Sequence, residues 1–133
     1  MKSKAILSQV EINQILNAAR AEAHNHQWAV TIAIVDDGGH PLALERLDGC
    51  AAISAYIAVE KARTSALGRR ESKGYEDMVN GGRYAFLSAP LLTSLEGGVP
   101  IFVDGHVIGA VGVSGVKAEQ DAQVARAGAQ CVS

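Results

Sequence analysis

From Ser8 the apolar residues Val10, Ile12, Ile15, Leu16 and Ala19 recur at helical spacing. Ser8 stands as an N-cap and Glu11, three residues on, completes a capping box, so a first helix is expected to run to about His24. Residues 29–35, Ala-Val-Thr-Ile-Ala-Ile-Val, are β-branched and almost wholly apolar, the composition of a strand buried on both faces. Asp36-Asp37-Gly38-Gly39 turns the chain, and Leu42 to Leu47 returns as an antiparallel partner until Asp48-Gly49 ends it. An Ala-rich stretch at 51–67 places Ile53, Tyr56, Ile57, Thr64 and Leu67 on one face of a second main helix, which Gly68 stops. In 71–97, Tyr75, Met78 and Val79 suggest a short helix that Asn80-Gly81-Gly82 breaks; the rest of that stretch is left unassigned. Pro100 to Val103, Asp104-Gly105 and His106 to Val113 form the clearest hairpin, with the composition of a type I′ turn. A last helix begins near Lys117, carries Glu119 and Asp121 in its first turn and ends near Gly128. The order α-ββ-α-loop-ββ-α defines an α+β fold in which helices cover at least one face of an antiparallel sheet. Residues 1–133 read as a single domain, with no repeat or linker.

Composition narrows the partners. Hydrophobic residues make up 48% of the chain but aromatics only 5%, and there are 14 glycines, so the core is expected to be small side chains in tight helix-on-sheet packing. Twelve Lys and Arg against fourteen Asp and Glu create no field that would gather nucleic acid or an anionic membrane. Cys50 and Cys131 belong to no C-x-x-C pair and read as free thiols of a reducing compartment. The basic start Met1 to Lys4 is followed by Gln9, Glu11, Asn13 and Gln14 before any long apolar run, so no secretion signal is expected. No window approaches a membrane span. Together these features predict a cytoplasmic location.

The blocks Ile34-Val35-Asp36-Asp37-Gly38-Gly39-His40, Glu45 to Gly49, Glu96-Gly97-Gly98-Val99-Pro100 and Gly109 to Gly115 resemble the signatures of the GlcG/HbpS-like family, also called haem-degrading. Lys61 to Thr64 and Glu119 to Asp121 fall in the expected order, so the resemblance covers roughly residues 8–128. It implies a profilin-like fold with a five-stranded antiparallel sheet flanked by helices, and a homo-oligomer between dimer and octamer. It also implies kinship with the C-terminal domain of the propanediol-utilisation corrinoid adenosyltransferase. Among such proteins some bind haem, and others accompany glycolate or glycerol catabolism with no assigned reaction.

Beside this resemblance the residues leave several readings open. His40, in a glycine-rich turn, is the candidate axial ligand of a haem iron; the alternative is a solvent-facing turn histidine beside Pro41. Gly97, Gly98, Gly112 and Gly115 would let a ligand approach the backbone, and Ser114 to Lys117 would lead amides into a helix N-terminus able to hold a carboxylate; close helix–strand packing explains them equally. Arg46 would clamp a carboxylate within a cluster of Asp36, Glu45 and Asp48, or serve a surface ion pair. Lys61, in a family block, is a further ligand candidate against a solvated helix face. Cys50 near a helix start is either a thiolate or a small buried thiol. No H-E-x-x-H spacing, dinucleotide fingerprint or complete nucleophile elbow is present, and no catalytic residue is assigned. The first reading is therefore a non-catalytic module holding haem or another planar carboxylated cofactor between His40, Gly97-Gly98 and Gly112 to Gly115. The second is an enzyme on a small hydroxy or keto acid, with Arg46 positioning and Asp36 or His40 moving a proton. The third is an assembly subunit without a ligand.

Overall fold

The computed structural model describes residues 1–132. Its elements are α1 (Gln9–Asn25), β1 (Thr31–Asp36), β2 (Pro41–Arg46), α2 (Ile53–Gly68), α3 (Lys73–Asn80), a 3₁₀ turn (Tyr84–Ser88), β3 (Gly98–Val103), β4 (His106–Ser114) and α4 (Ala118–Gln130). The Ser8–Glu11 capping box is present. Asp104 and Gly105 both have positive φ, 51° and 78°, as a type I′ turn requires.

The sheet is antiparallel throughout, in the order β2-β1-β4-β3. It has four strands, not the five that the family resemblance implied. The two hairpins supply all of them. In the stretch 71–97 the short helix expected around Tyr75 to Val79 is present as residues 73–80; of the rest, residues 84–88 are helical and the remainder, which includes Pro90 and Gly97, alternates too little to pair as a strand.

Alternation along the strands divides the sheet into two unlike faces. Ile32 and Ile34 of β1, Val111 and Val113 of β4, and Val99 and Ile101 of β3 join Ile12, Ile15 and Ala19 of α1 and Val124 and Ala125 of α4 in the main core. On the other face Val35 and Ala110 cluster with Ala62 and Ala66 of α2. That face is built for close approach. A methyl group on Gly112 would stand 2.0 Å from the Ala58 carbonyl oxygen and 2.5 Å from the Ala62 amide nitrogen; one on Gly98 would stand 2.2 Å from the Lys61 carbonyl oxygen.

Consequently α2 buries Ser54, Ala58, Ala62, Ser65 and Ala66, and the larger residues grouped on one face by their spacing mostly point away. Ile53 is 59% exposed and Tyr56 75%, while Thr64 of the same group is buried and its hydroxyl accepts the Thr93 amide. Spacing identifies the stripe correctly, but with no room for Ile or Tyr at the sheet, its burial falls to the small side chains.

Gly112→Ala should therefore destabilise the fold by about 3 kcal/mol, because the atoms it meets are helix backbone and cannot rotate aside. Urea denaturation checks this; a wild-type midpoint would show that α2 can lift off the sheet freely.

Candidate functional site

The turn after β1 is organised by one carboxylate. Asp36 Oδ1 accepts the amides of Gly38 and His40, both at 2.9 Å, and Asp36 Oδ1 and Oδ2 lie 3.0 and 3.1 Å from His40 Nδ1. Gly39, at φ +79°, closes the turn against α2, with room for no side chain because a methyl there would meet Arg63 Cγ at 2.7 Å. Partial burial raises the Asp36 pKa, but the bonds from the His40 amide and ring and the Gly38 amide outweigh it and hold the carboxyl below its ordinary value. An ionised carboxylate is purely an acceptor, so the proton of neutral His40 belongs on Nδ1 and the lone pair on Nε2. The side chain is 78% exposed, which leaves Nε2 open to a ligand. This is the carboxylate–histidine arrangement that orients imidazoles toward metals.

Strand register separates this turn from the other candidate residues. Asp36 faces Gly109, whereas Thr31 faces Ser114 on one side and Arg46 on the other, and Gly98 faces Gly112. Five residue steps along β4 therefore separate the two ends, about 17 Å at roughly 3.4 Å each. The structure does not bring His40 together with Gly97, Gly98, Ser114 and Gly115, nor Arg46 with Asp36.

At the far end the expected ligand contacts are occupied by the protein itself. Gly97 and Gly98 lie against Lys61, Gly112 against Ala58 and Gly115 against Ala29 and Val30. Ser114 is buried, and so is Lys61, whose ammonium donates to the Val113 carbonyl and to Asp121 Oδ2, each at 3.0 Å. Asp121 Oδ1 in turn accepts the Val116 amide at 3.1 Å. Burial pushes the Asp121 carboxyl up, against the pull of Lys61 and the Val116 and Gly115 amides. Arg46 donates to the Cys50 carbonyl at 3.1 Å and lines an open groove of about 510 Å³ with His24, Trp28, Glu45 and Asp48. Glu45 does not join Arg46 in a clamp, because Arg20 takes both its oxygens and lowers its pKa.

Cys50 is a buried thiol at the start of α2, donating to the Leu47 carbonyl at 3.2 Å and accepting the Ser54 hydroxyl at 3.3 Å. Burial raises its pKa, yet Ser54, Thr31 and Arg46 together bring it below the ordinary value. Among the described residues no three His, Cys, Asp or Glu side chains gather as metal ligands.

Two relations escaped sequence reading. Asp36 carries a signal, an acidic residue four before the histidine across a glycine turn. Asp121 carries none toward Lys61, sixty residues away.

These features define a small α+β module that presents an exposed imidazole, held through Nδ1 by a carboxylate, on a hydrogen-bonded turn. Residues 7–130 match the sequence model of the family described as haem degrading protein HbpS-like, and the chain belongs to that family. It is 66% identical to the GlcG protein of Escherichia coli K12 over 114 residues, covering 86% of this chain and 85% of that one. Among solved structures it superposes on a Streptomyces reticuli HbpS double mutant with a TM-score of 0.90 at 25% identity, covering 100% and 91% of the two chains. It superposes on a PduOC–haem complex with a TM-score of 0.84 at 28% identity, covering 94% of each.

Lys61→Met keeps the aliphatic stem but strands the Asp121 carboxylate, and should destabilise the protein by roughly 3–5 kcal/mol at neutral pH. A carboxyl whose folded pKa is raised binds its proton more tightly in the folded state, so the deficit should shrink as pH falls through that raised value. Denaturation at several pH values checks both; a pH-independent deficit would mean that only packing was lost.

Proposed function

We propose that this protein is a haem- or tetrapyrrole-binding accessory protein in which His40 supplies the axial ligand. The observation that carries the reading is the Asp36–His40 pair, which fixes the tautomer and leaves Nε2 exposed. A single side chain is enough, because a porphyrin fills four positions of its metal and leaves the protein only the axial ones. Similarity to a protein solved with haem and membership of a haem-degrading family support the same ligand. Bound iron would bring redox and ligand-exchange chemistry; the protein's part is to hold and present it. No helix among the described residues is long and apolar enough to cross a membrane. The free thiols Cys50 and Cys131 suit a reducing compartment, and the proposal places the protein in the cytoplasm.

Titration with haemin should give a saturable Soret change that His40→Ala abolishes and that His24→Ala and His26→Ala, at the end of α1, leave intact. Asp36→Asn, a poorer acceptor for the Nδ1 proton, should weaken binding about tenfold. An identical titration for wild type and His40→Ala would overturn the reading.

The same proposal includes self-association. Ile53 and Tyr56 on the outward side of α2, and Tyr84, Leu87 and Leu91 after α3, are each more than half exposed, large apolar side chains that a contact between copies would cover. Sedimentation should show an oligomer for the wild type and a smaller species for Ile53→Glu/Tyr56→Glu; a monomeric wild type at all concentrations would contradict it.

A further inference from the structure

The two hairpin turns lie at the same end of the sheet, because β1 ends and β4 begins there. Between them and the end of α2 is a cleft of about 330 Å³, lined by Lys4, Asp37, Leu67, Arg69, Phe102 and His106. Asp37, in the same turn as His40, lines this cleft, so the His40 turn supplies part of its wall. Leu67 and Phe102 are 39% and 45% exposed, large apolar surfaces in walls that also carry cations.

Arg69 is the residue that gives the cleft its chemistry. Every other arginine has an evident partner. Arg20, Arg63 and Arg126 pair with Glu45, Glu60 and Glu71, Arg46 donates to the Cys50 carbonyl, and Arg70 and Arg83 lie over Tyr75 and Phe86. Among the described residues the Arg69 guanidinium has no hydrogen bond or ion pair. It nonetheless sits on a left-handed backbone, φ 55° and ψ 38°, a conformation disfavoured for a residue with a Cβ, where it caps α2 and borders the cleft. The carboxylate in the same wall, Asp37, is already neutralised by Lys4. The cleft thus offers an uncommitted guanidinium beside apolar walls, complementary to a ligand with an apolar body and a carboxylate edge.

We infer that this cleft seats the carboxylate-bearing edge of the tetrapyrrole, with Arg69 as its anchoring cation; the inference rests on the haem-binding reading above. A porphyrin held axially by His40 would present its ring to apolar side chains and its propionates to a bordering cation, and in the cleft beside the turn Arg69 is, among the described residues, the cation without a protein partner.

Esterified propionates separate the two levels of the argument. Haemin and haemin dimethyl ester are titrated into the full-length wild type, Arg69→Gly, Arg69→Lys and His40→Ala, with the Soret band read for both affinity and position. Glycine suits the left-handed backbone, so Arg69→Gly removes the guanidinium without straining the end of α2. The expected result is about tenfold weaker haemin binding by Arg69→Gly, partial recovery in Arg69→Lys, an unchanged Soret position at saturation, and no effect of Arg69→Gly on the ester. Wild-type haemin affinity in Arg69→Gly, or equal weakening for haemin and its ester, would overturn the assignment of the cleft. Failure of the haem reading itself appears elsewhere, as unchanged binding by His40→Ala.

Discussion

Helix α2 rests on the sheet at backbone-to-backbone distance, and much of the molecule follows from that contact. Gly98 and Gly112 stand where any side chain would collide with the carbonyls of Lys61 and Ala58. The buried side of the helix is mostly alanine and serine, with Lys61 and Thr64, and Ile53 and Tyr56 are turned outward. The same approach draws the turn of β1 and β2 against Arg63 through Gly39 and brings Lys61 within reach of Asp121 beyond the end of β4. A glycine-rich sequence often signals a backbone cradle for a ligand. Here the protein's own helix fills the cradle.

Antiparallel connectivity then gives the molecule two unlike ends. Both hairpin turns project at one, with His40, His106 and Arg69; the other holds Arg46, the Lys61–Asp121 pair and the buried Cys50. Most polar groups of the second end are satisfied internally, which suits a structural role. The exposed imidazole and the uncommitted guanidinium are both at the first. Separation by the length of a strand also explains why the acid–base arrangement imagined for a small-acid enzyme, Arg46 with Asp36 or His40, is not assembled.

What the sequence reveals depends on the range of the interaction that decides it. The hairpins, the capping box and the type I′ turn are fixed by residues within a few positions of one another, and each is found where the pattern places it. Only the family resemblance suggested a fifth strand; the residue pattern itself carries four. The facing of α2 is decided by Gly98 and Gly112, dozens of residues away, and a stripe of Ile and Tyr at helical spacing cannot disclose that the sheet has no space for it. Lys61 likewise reads as one cation of a basic helix until the fold supplies Asp121. His40 was recognisable as a turn histidine, but its pairing depends on the side-chain geometry of Asp36.

That pairing is also what distinguishes the four histidines from one another. His26 stacks on Trp28 at 4.3 Å between ring centres, and its Nε2 is taken by Glu22 and Gln123 at 3.3 and 3.2 Å, so its outer nitrogen is not free. His24 sits at the end of α1 beside the open groove, and His106 lines the cleft; among the described residues neither has a carboxylate within ion-pair distance. His40 alone, among the described residues, has a carboxylate on Nδ1 and Nε2 left exposed. Because Asp36 also ties down the amides of the turn, the ring is held by the same group that shapes the backbone beneath it. Ring orientation and turn geometry are thus a single constraint, imposed by one carboxylate.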